Sequence, residues 1–134
     1  MQTLIAGSPF HQQFSPQVMR LDHDTLTLVV KMAMGASVER QPHTGQWHGG
    51  AVSAVVDIVG CYALALVSGE PLPTINFRTD YLRPGVRTAL TASAYVRRAG
   101  RTIGVVDVDV TDDSNRLVAV GRASYAMLGG LTPR

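Results

Sequence analysis

At 134 residues, with 46% hydrophobic and 16% charged side chains and a formal charge of +2, the chain has the composition of a globular domain and not of a disordered segment. The sequence pI is about 9.0, yet no run of lysine and arginine reaches the length of a nucleic-acid arm. A single cysteine, Cys61, excludes an intramolecular disulfide framework and fits a reducing, cytoplasmic compartment.

The N-terminus does not resemble a signal peptide, because residues 1–14 lack a basic start and hold Gly7, Ser8 and Pro9 where an apolar core would lie. Residues 1–20 read as an N-terminal extension with a short helix broken by Pro9 and Pro16. Leu26, Leu28, Val30, Met32 and Met34 then alternate with Thr25, Thr27 and Lys31, the pattern of a half-buried strand. After a polar loop over 37–46 comes an almost wholly apolar segment, 51–67, whose length and alanine content predict a helix. It is shorter than the roughly 20 residues of a membrane span and carries Asp57 near its middle, so we read it as enclosed in protein rather than in a bilayer. With no polar stripe at helical spacing, it is expected to be covered on all sides.

Four strand-like runs complete the chain. Ile75, Phe77 and Tyr81 alternate with Asn76, Arg78 and Asp80 up to a turn at Pro84-Gly85. Residues 88–97 turn at Ala99-Gly100 into 102–110, and a polar turn over 112–115 leads to 117–127. Short turns predict consecutive antiparallel pairing, a meander. The expected architecture is one α+β domain over 1–134, an antiparallel sheet of about five or six strands wrapped around one long central helix. So small a sheet cannot cover a helix that is apolar all round, so its far side is expected to meet a second copy, giving at least a homodimer.

Asp57 is the only charged residue in 51–67, and burying a lone carboxylate costs several kcal/mol unless something pairs with it or uses it. Two readings stand: a structural aspartate satisfied by neighbouring hydroxyls or amides, or a catalytic acid. Just upstream, His48-Gly49-Gly50 opens the helix. The glycines either permit tight packing there or let a polarised carbonyl oxygen reach the free amides of the helix N-terminus. Asp57 lies eight residues beyond Gly49, about 12 Å along a helix, so one carbonyl cannot touch both groups of the same helix. Antiparallel helices across a dimer axis would bring Asp57 of one copy to Gly49 of the other.

Gly45, His48-Gly49-Gly50-Ala51, Asp57, Thr74 and the stretch from Asn76 to Gly85 (Asn-Phe-Arg-Thr-Asp-Tyr-Leu-Arg-Pro-Gly) resemble the hotdog-fold acyl-CoA thioesterases of the phenylacetate-pathway, PaaI-like type. The likeness covers roughly residues 34–127. It implies thioester hydrolysis, with coenzyme A as part of the substrate and no separate cofactor. By that resemblance the Gly49 amide polarises the thioester carbonyl, and Asp57 of the facing subunit acts as general base or nucleophile. Thr74 would help position the water or the acid, and dimers would pair into tetramers. Strict alternation instead puts Thr74 with Asn76 and Arg78 on a polar face. The chain departs from the family's pattern at Pro42, where an Asn or Gln is common; Gln41, His43 or Gln46 is left to substitute for that polar side chain.

The remaining candidates each carry two readings. His48 orients the loop or hydrogen-bonds at the start of the helix; Trp47 packs the loop or lines an acyl pocket. Arg97, Arg98 and Arg101 form a solvated hairpin end or hold the phosphates of coenzyme A, with Arg83 a second candidate for that role. Cys61 reads as a buried inert thiol, and the four histidines, at 11, 23, 43 and 48, show no metal-ligand spacing. A hotdog dehydratase would need acid–histidine pairs that the motifs lack. A non-catalytic acyl-CoA sensor is the alternative that Pro42 keeps open.

Overall fold

A computed structural model describes residues 1–128. One long helix lies against a six-stranded sheet in which every pairing is antiparallel. In chain order the elements are α1 (Gln2–Ala6), a 3-10 segment (Pro9–Phe14), β1 (Gln17–Asp22), β2 (Thr27–Met32), α2 (Gly49–Ser68), β3 (Thr74–Tyr81), β4 (Leu90–Ala99), β5 (Ile103–Thr111) and β6 (Leu117–Ala126). The α+β architecture is the expected one, but two elements of the sequence reading need correction.

The expected meander holds for β4, β5 and β6, which pair consecutively, and fails at β3, which pairs with β6 instead of β4. The strand order across the sheet is β1-β2-β4-β5-β6-β3. The turn at Pro84-Gly85 therefore does not join two paired strands. α2 carries the chain across the sheet from β2 to the far edge, and the segment after β3 brings it back to the centre beside β2. Turn chemistry registers the reversal at Pro84-Gly85 but cannot register which strand waits on the other side. The second correction concerns residues 1–20, which are no mere extension: Gln17–Asp22 is an edge strand paired with β2, and Ile5 and Phe14 are fully buried. β1 escaped notice because its burial does not alternate, so it lacks the period on which strand recognition rests.

α2 begins where His48 caps it, Nδ1 accepting the Gly50 N–H at 2.9 Å. It ends at Gly69, whose φ of 82° is the left-handed conformation glycine adopts freely and whose N–H donates to the Ala65 carbonyl at 2.8 Å. By length and composition this helix could cross a membrane; here it is the core, packed on β2 through β6. Its valines and Leu64 meet the inward residues of the strands, among them Leu28, Val30, Val106, Val108 and Ala123. Close approach is needed at Gly121 of β6, where a Cβ would lie 2.5 Å from Val56 Cγ1.

Within one protomer the helix is not covered all round, as expected of a single small sheet. Residues 58–65 are buried throughout. Gly50, Ser53, Ala54 and Asp57 instead form one stripe at helical spacing that stays exposed or half-exposed. Their small side chains hid this stripe, because Gly and Ala count as apolar while leaving a face open.

Candidate active site

Asp57 sits on that open stripe, and its Oδ1 accepts a hydrogen bond from Thr74 Oγ1 at 2.7 Å. The register of β3 against β6 shifts between Thr74 and Asn76. The bulge breaks the alternation that would have placed Thr74 on the outer face with Arg78, and turns its hydroxyl to the helix. The Asp57 carbonyl also accepts from Tyr125 Oη at 2.7 Å, from a phenol whose pKa burial pushes far above its usual value. Tyr125 thus stays a donor and ties the middle of α2 to β6.

At the start of α2 the Gly49 N–H has no hydrogen-bond partner among the described residues, as expected of the first helical turn. The Gly50 N–H is taken by His48. An accepting Nδ1 must be unprotonated, so that ring nitrogen belongs to the cap. The Gly49 carbonyl accepts from Tyr81 Oη at 2.6 Å, and Ser53 Oγ lies 2.5 Å from the same phenol oxygen. Ser53 Oγ also donates to Thr79 Oγ1 at 3.2 Å. Tyr81 and Ser53 therefore fix the rotation of the first turn. Sequence reading missed this function for both, although Tyr81 stands in the quoted stretch and Ser53 is, with Asp57, one of the few polar residues of 51–67.

The open amide faces a cleft of about 520 Å³ whose lining includes Gln46, Trp47, His48, Gly49, Tyr81 and Arg83. Two loops build it. Gly45, at φ 65°, makes the turn where a Cβ would lie 2.6 Å from Arg87 Cγ. Trp47 N–H then donates to the Gly85 carbonyl at 2.9 Å, and Leu82 and Arg83 N–H to the Val118 carbonyl at 2.8 and 3.2 Å. Trp47 is buried, with Nε1 donating to the Thr88 carbonyl at 2.8 Å and its ring stacked on Phe14. It is mainly a packing residue that also forms one wall.

Of the side chains considered in place of the amide missing at Pro42, Gln46 lines the cleft, whereas Gln41 and His43 are exposed and not in its lining. Arg97, Arg98 and Arg101 lie elsewhere. Their hairpin end is next to Gly104, which packs on Leu64 in the far half of α2, and Arg97 Nε is 3.4 Å from Asp107 Oδ2. Within one protomer they do not approach Gly49. Cys61 is buried, its Sγ bonded both ways to the backbone of Leu72, and burial raises its pKa. No cluster of metal-ligating side chains occurs among the described residues.

The chain as a whole is similar to known proteins. The thioesterase superfamily profile matches residues 44–119, more than half the chain, and the chain belongs to that superfamily. Thioester hydrolysis is the class of reaction this membership assigns. The medium/long-chain acyl-CoA thioesterase YigI of Escherichia coli is 25% identical over 138 aligned positions, covering 87% of this chain and 84% of YigI. The acyl-coenzyme A thioesterase PaaI of the same organism is 33% identical over 87 positions, covering 62% of this chain and 59% of PaaI. A provisionally named esterase of Halobacterium salinarum is 38% identical over 96 positions, and the match spans 62% of its length. Among solved structures, E. coli PaaI superposes with a TM-score of 0.77 at 26% identity, over 92% of this chain and 86% of that one.

Proposed function

We propose that this chain is an acyl-CoA thioesterase acting on aryl- or medium-chain acyl groups as a homodimer, in which each site joins Gly49 of one protomer to Asp57 of the other. The observation that carries the reading is the presence on one helix of Gly49, a residue lining a cleft whose N–H has no partner among the described residues, and of a hydroxyl-bonded carboxylate, Asp57, on the open stripe. Their separation of about 12 Å along one helix makes a second copy necessary for both to act on one carbonyl. The edge strand β3 supports such a copy. It pairs on one side only, and on the face it shares with Thr79 and Tyr81 it exposes Ile75 (54%) and Phe77 (37%). Edge pairing of β3 with its copy would join two sheets across the helix stripes, and two such dimers could pair further.

In the reaction the Gly49 N–H polarises the thioester carbonyl. Asp57, held by Thr74, either takes a proton from the attacking water or attacks the carbonyl itself. The C–S bond breaks and the leaving thiolate takes up the proton from water. Where Asp57 itself attacks, a second step has water hydrolyse the acyl–Asp57 anhydride. Either route consumes one water and gives a carboxylic acid and free coenzyme A thiol. His48 serves by holding the turn and Gln46 by offering an amide at the cleft. Arg83 lies nearest to hold a phosphate; Arg97, Arg98 and Arg101 would come from the protomer that supplies Asp57. The names of YigI and PaaI favour acyl-CoA over other thioesters. The buried, reduced Cys61 is in keeping with a cytoplasmic setting.

The test is thiol release from a panel of aryl- and alkanoyl-CoA substrates, read with a colorimetric thiol reagent, alongside sedimentation. Release by a dimer or tetramer is expected. Tight acyl-CoA binding without release would establish the sensor alternative instead, and a strictly monomeric yet active protein would refute the composite site.

A further inference from the structure

Two clefts, not one, meet at the His48-Gly49-Gly50 turn. The first, described above, adds Arg40 to Arg83 in its lining. Neither arginine makes an ion pair among the described residues. The second is a groove of about 360 Å³ on the other side of the turn, with Phe10 and Phe14 facing Ala51 and Ala54 of α2, and with Glu39 and His48 in its wall. His48 lines both.

The two clefts differ in charge for a local reason. Glu39 pairs with Trp47 across an isolated β-bridge, and in extended chain successive side chains point to opposite sides. Glu39 therefore enters the groove while Arg40 enters the cleft. The Glu39 carboxylate is fixed there, Oε2 accepting the Gly45 N–H at 3.0 Å. A phosphate-bearing ligand arm is attracted by the arginines on one side and repelled by Glu39 on the other. An uncharged hydrocarbon arm suits the phenyl rings and alanines. Phe10 closes the groove from outside, packed edge-to-face on Phe14 with centroids 5.6 Å apart, yet is itself 55% exposed.

Resting on the thioesterase reading, we propose that the turn divides the substrate between these clefts. The phosphorylated coenzyme A arm lies against Arg40 and Arg83, the acyl chain lies in the groove under Phe10, and the Phe10 ring sets the longest chain accepted. Phe10 lies outside the residues matched by the superfamily profile, so the profile match by itself carries no such limit.

The experiment is steady-state hydrolysis of saturated acyl-CoA thioesters from butanoyl to hexadecanoyl and of the corresponding N-acetylcysteamine thioesters, which lack the phosphates. Phe10→Ala is expected to move the preferred chain longer and Phe10→Trp shorter. Each methylene newly accommodated should raise kcat/KM about fourfold. Arg40→Ala and Arg83→Ala are expected to raise KM about tenfold more for coenzyme A thioesters than for N-acetylcysteamine thioesters, leaving the order of chain preference as it was. The exposure of Phe10 keeps its variants folded. A chain-length profile that neither Phe10 variant moves, or one that the arginine variants move instead, overturns the division. Failure of the unaltered protein to release thiol from any substrate overturns the hydrolase reading separately. Dissociation constants of the same acyl-CoAs then decide the division by the same pattern.

Discussion

The two halves of α2 are built from nearly the same residues and end in opposite conditions. From Ile58 to Ala65 every position is buried, because the chain supplies cover on the side the sheet leaves open. His11 sets its ring edge-to-face on Tyr62, 5.5 Å between centroids, and Leu72 covers Cys61. From Gly49 to Asp57 the cover given by the described residues is partial, and the stripe of Gly50, Ser53, Ala54 and Asp57 stays open or half-open. The comparison teaches that an all-round apolar helix need not be enclosed uniformly. Where its own chain stops covering it, its unsatisfied amide and its one carboxylate become available for chemistry.

That contrast can be broken most sharply at Asp57. Asp57→Asn keeps an acceptor for Thr74 Oγ1 and should leave thermal stability unchanged. Hydrolysis should fall about 10³-fold, the scale of a lost general base; unchanged turnover in a thiol-release assay would remove Asp57 from the mechanism. The same glycine-to-alanine change then separates the halves. At Gly49 an added Cβ meets only ordinary contacts, 3.6 Å from Tyr81. Gly49→Ala should therefore fold normally while losing about 10²-fold in activity, as when an oxyanion donor is obstructed. At Gly60 the Cβ would lie 2.5 Å from Tyr125 Oη. Gly60→Ala should cost about 2 kcal/mol of stability as overpacking, lowering Tm by about 5–10 °C, and comparable melting curves for the two variants would erase the distinction.

Smaller effects sharpen the picture. Thr74→Val removes the 2.7 Å bond to Asp57 and should slow turnover about tenfold, the scale of one hydrogen bond to a charged group, with Thr74→Ser restoring it. The outer sheet face should respond to pH and not to substrate. The Arg122 guanidinium bonded to Asp107 holds that carboxyl below the usual range, and the backbone N–H of Arg116 does the same first among several donors for Asp112. Both folded-state values are lowered, so their stabilisation is present above the ordinary carboxylate pKa and is lost as pH falls through the lowered values. Acid melts of Asp107→Asn should show a shallower loss below about pH 4.

The candidate site was drawn largely from the chain itself. The spacing of Gly49 and Asp57 pointed to a composite site before any coordinates, because helical rise alone forbids one protomer from using both on one carbonyl. Asp57 stood out because burial of an unpaired charge is costly, and its partner Thr74 was named although alternation argued against it. The bulge that turns Thr74 inward depends on β3 meeting β6, a pairing between residues distant in sequence. Tyr81 and Ser53 were passed over for the same reason: a tyrosine near a strand end and a serine in an apolar helix are unremarkable until the fold brings both to the Gly49 carbonyl. Arg97, Arg98 and Arg101 are absent from the lining of the Gly49 cleft within one protomer, so charge clustered in sequence reaches that site only if a second copy brings it.

What the sequence alone determined is what local physics dictates: one long apolar helix begun by a histidine and two glycines and stopped by Gly69, strands of alternating pattern, and a carboxylate with no local partner. Tertiary structure decided the rest. Strand order, the cover over half of α2, the turning of Thr74 and the two clefts on either side of Gly49 all come from contacts between distant segments. Periodicity fixes which face of an element is apolar, but which element it meets is settled only when the whole chain competes for the same core.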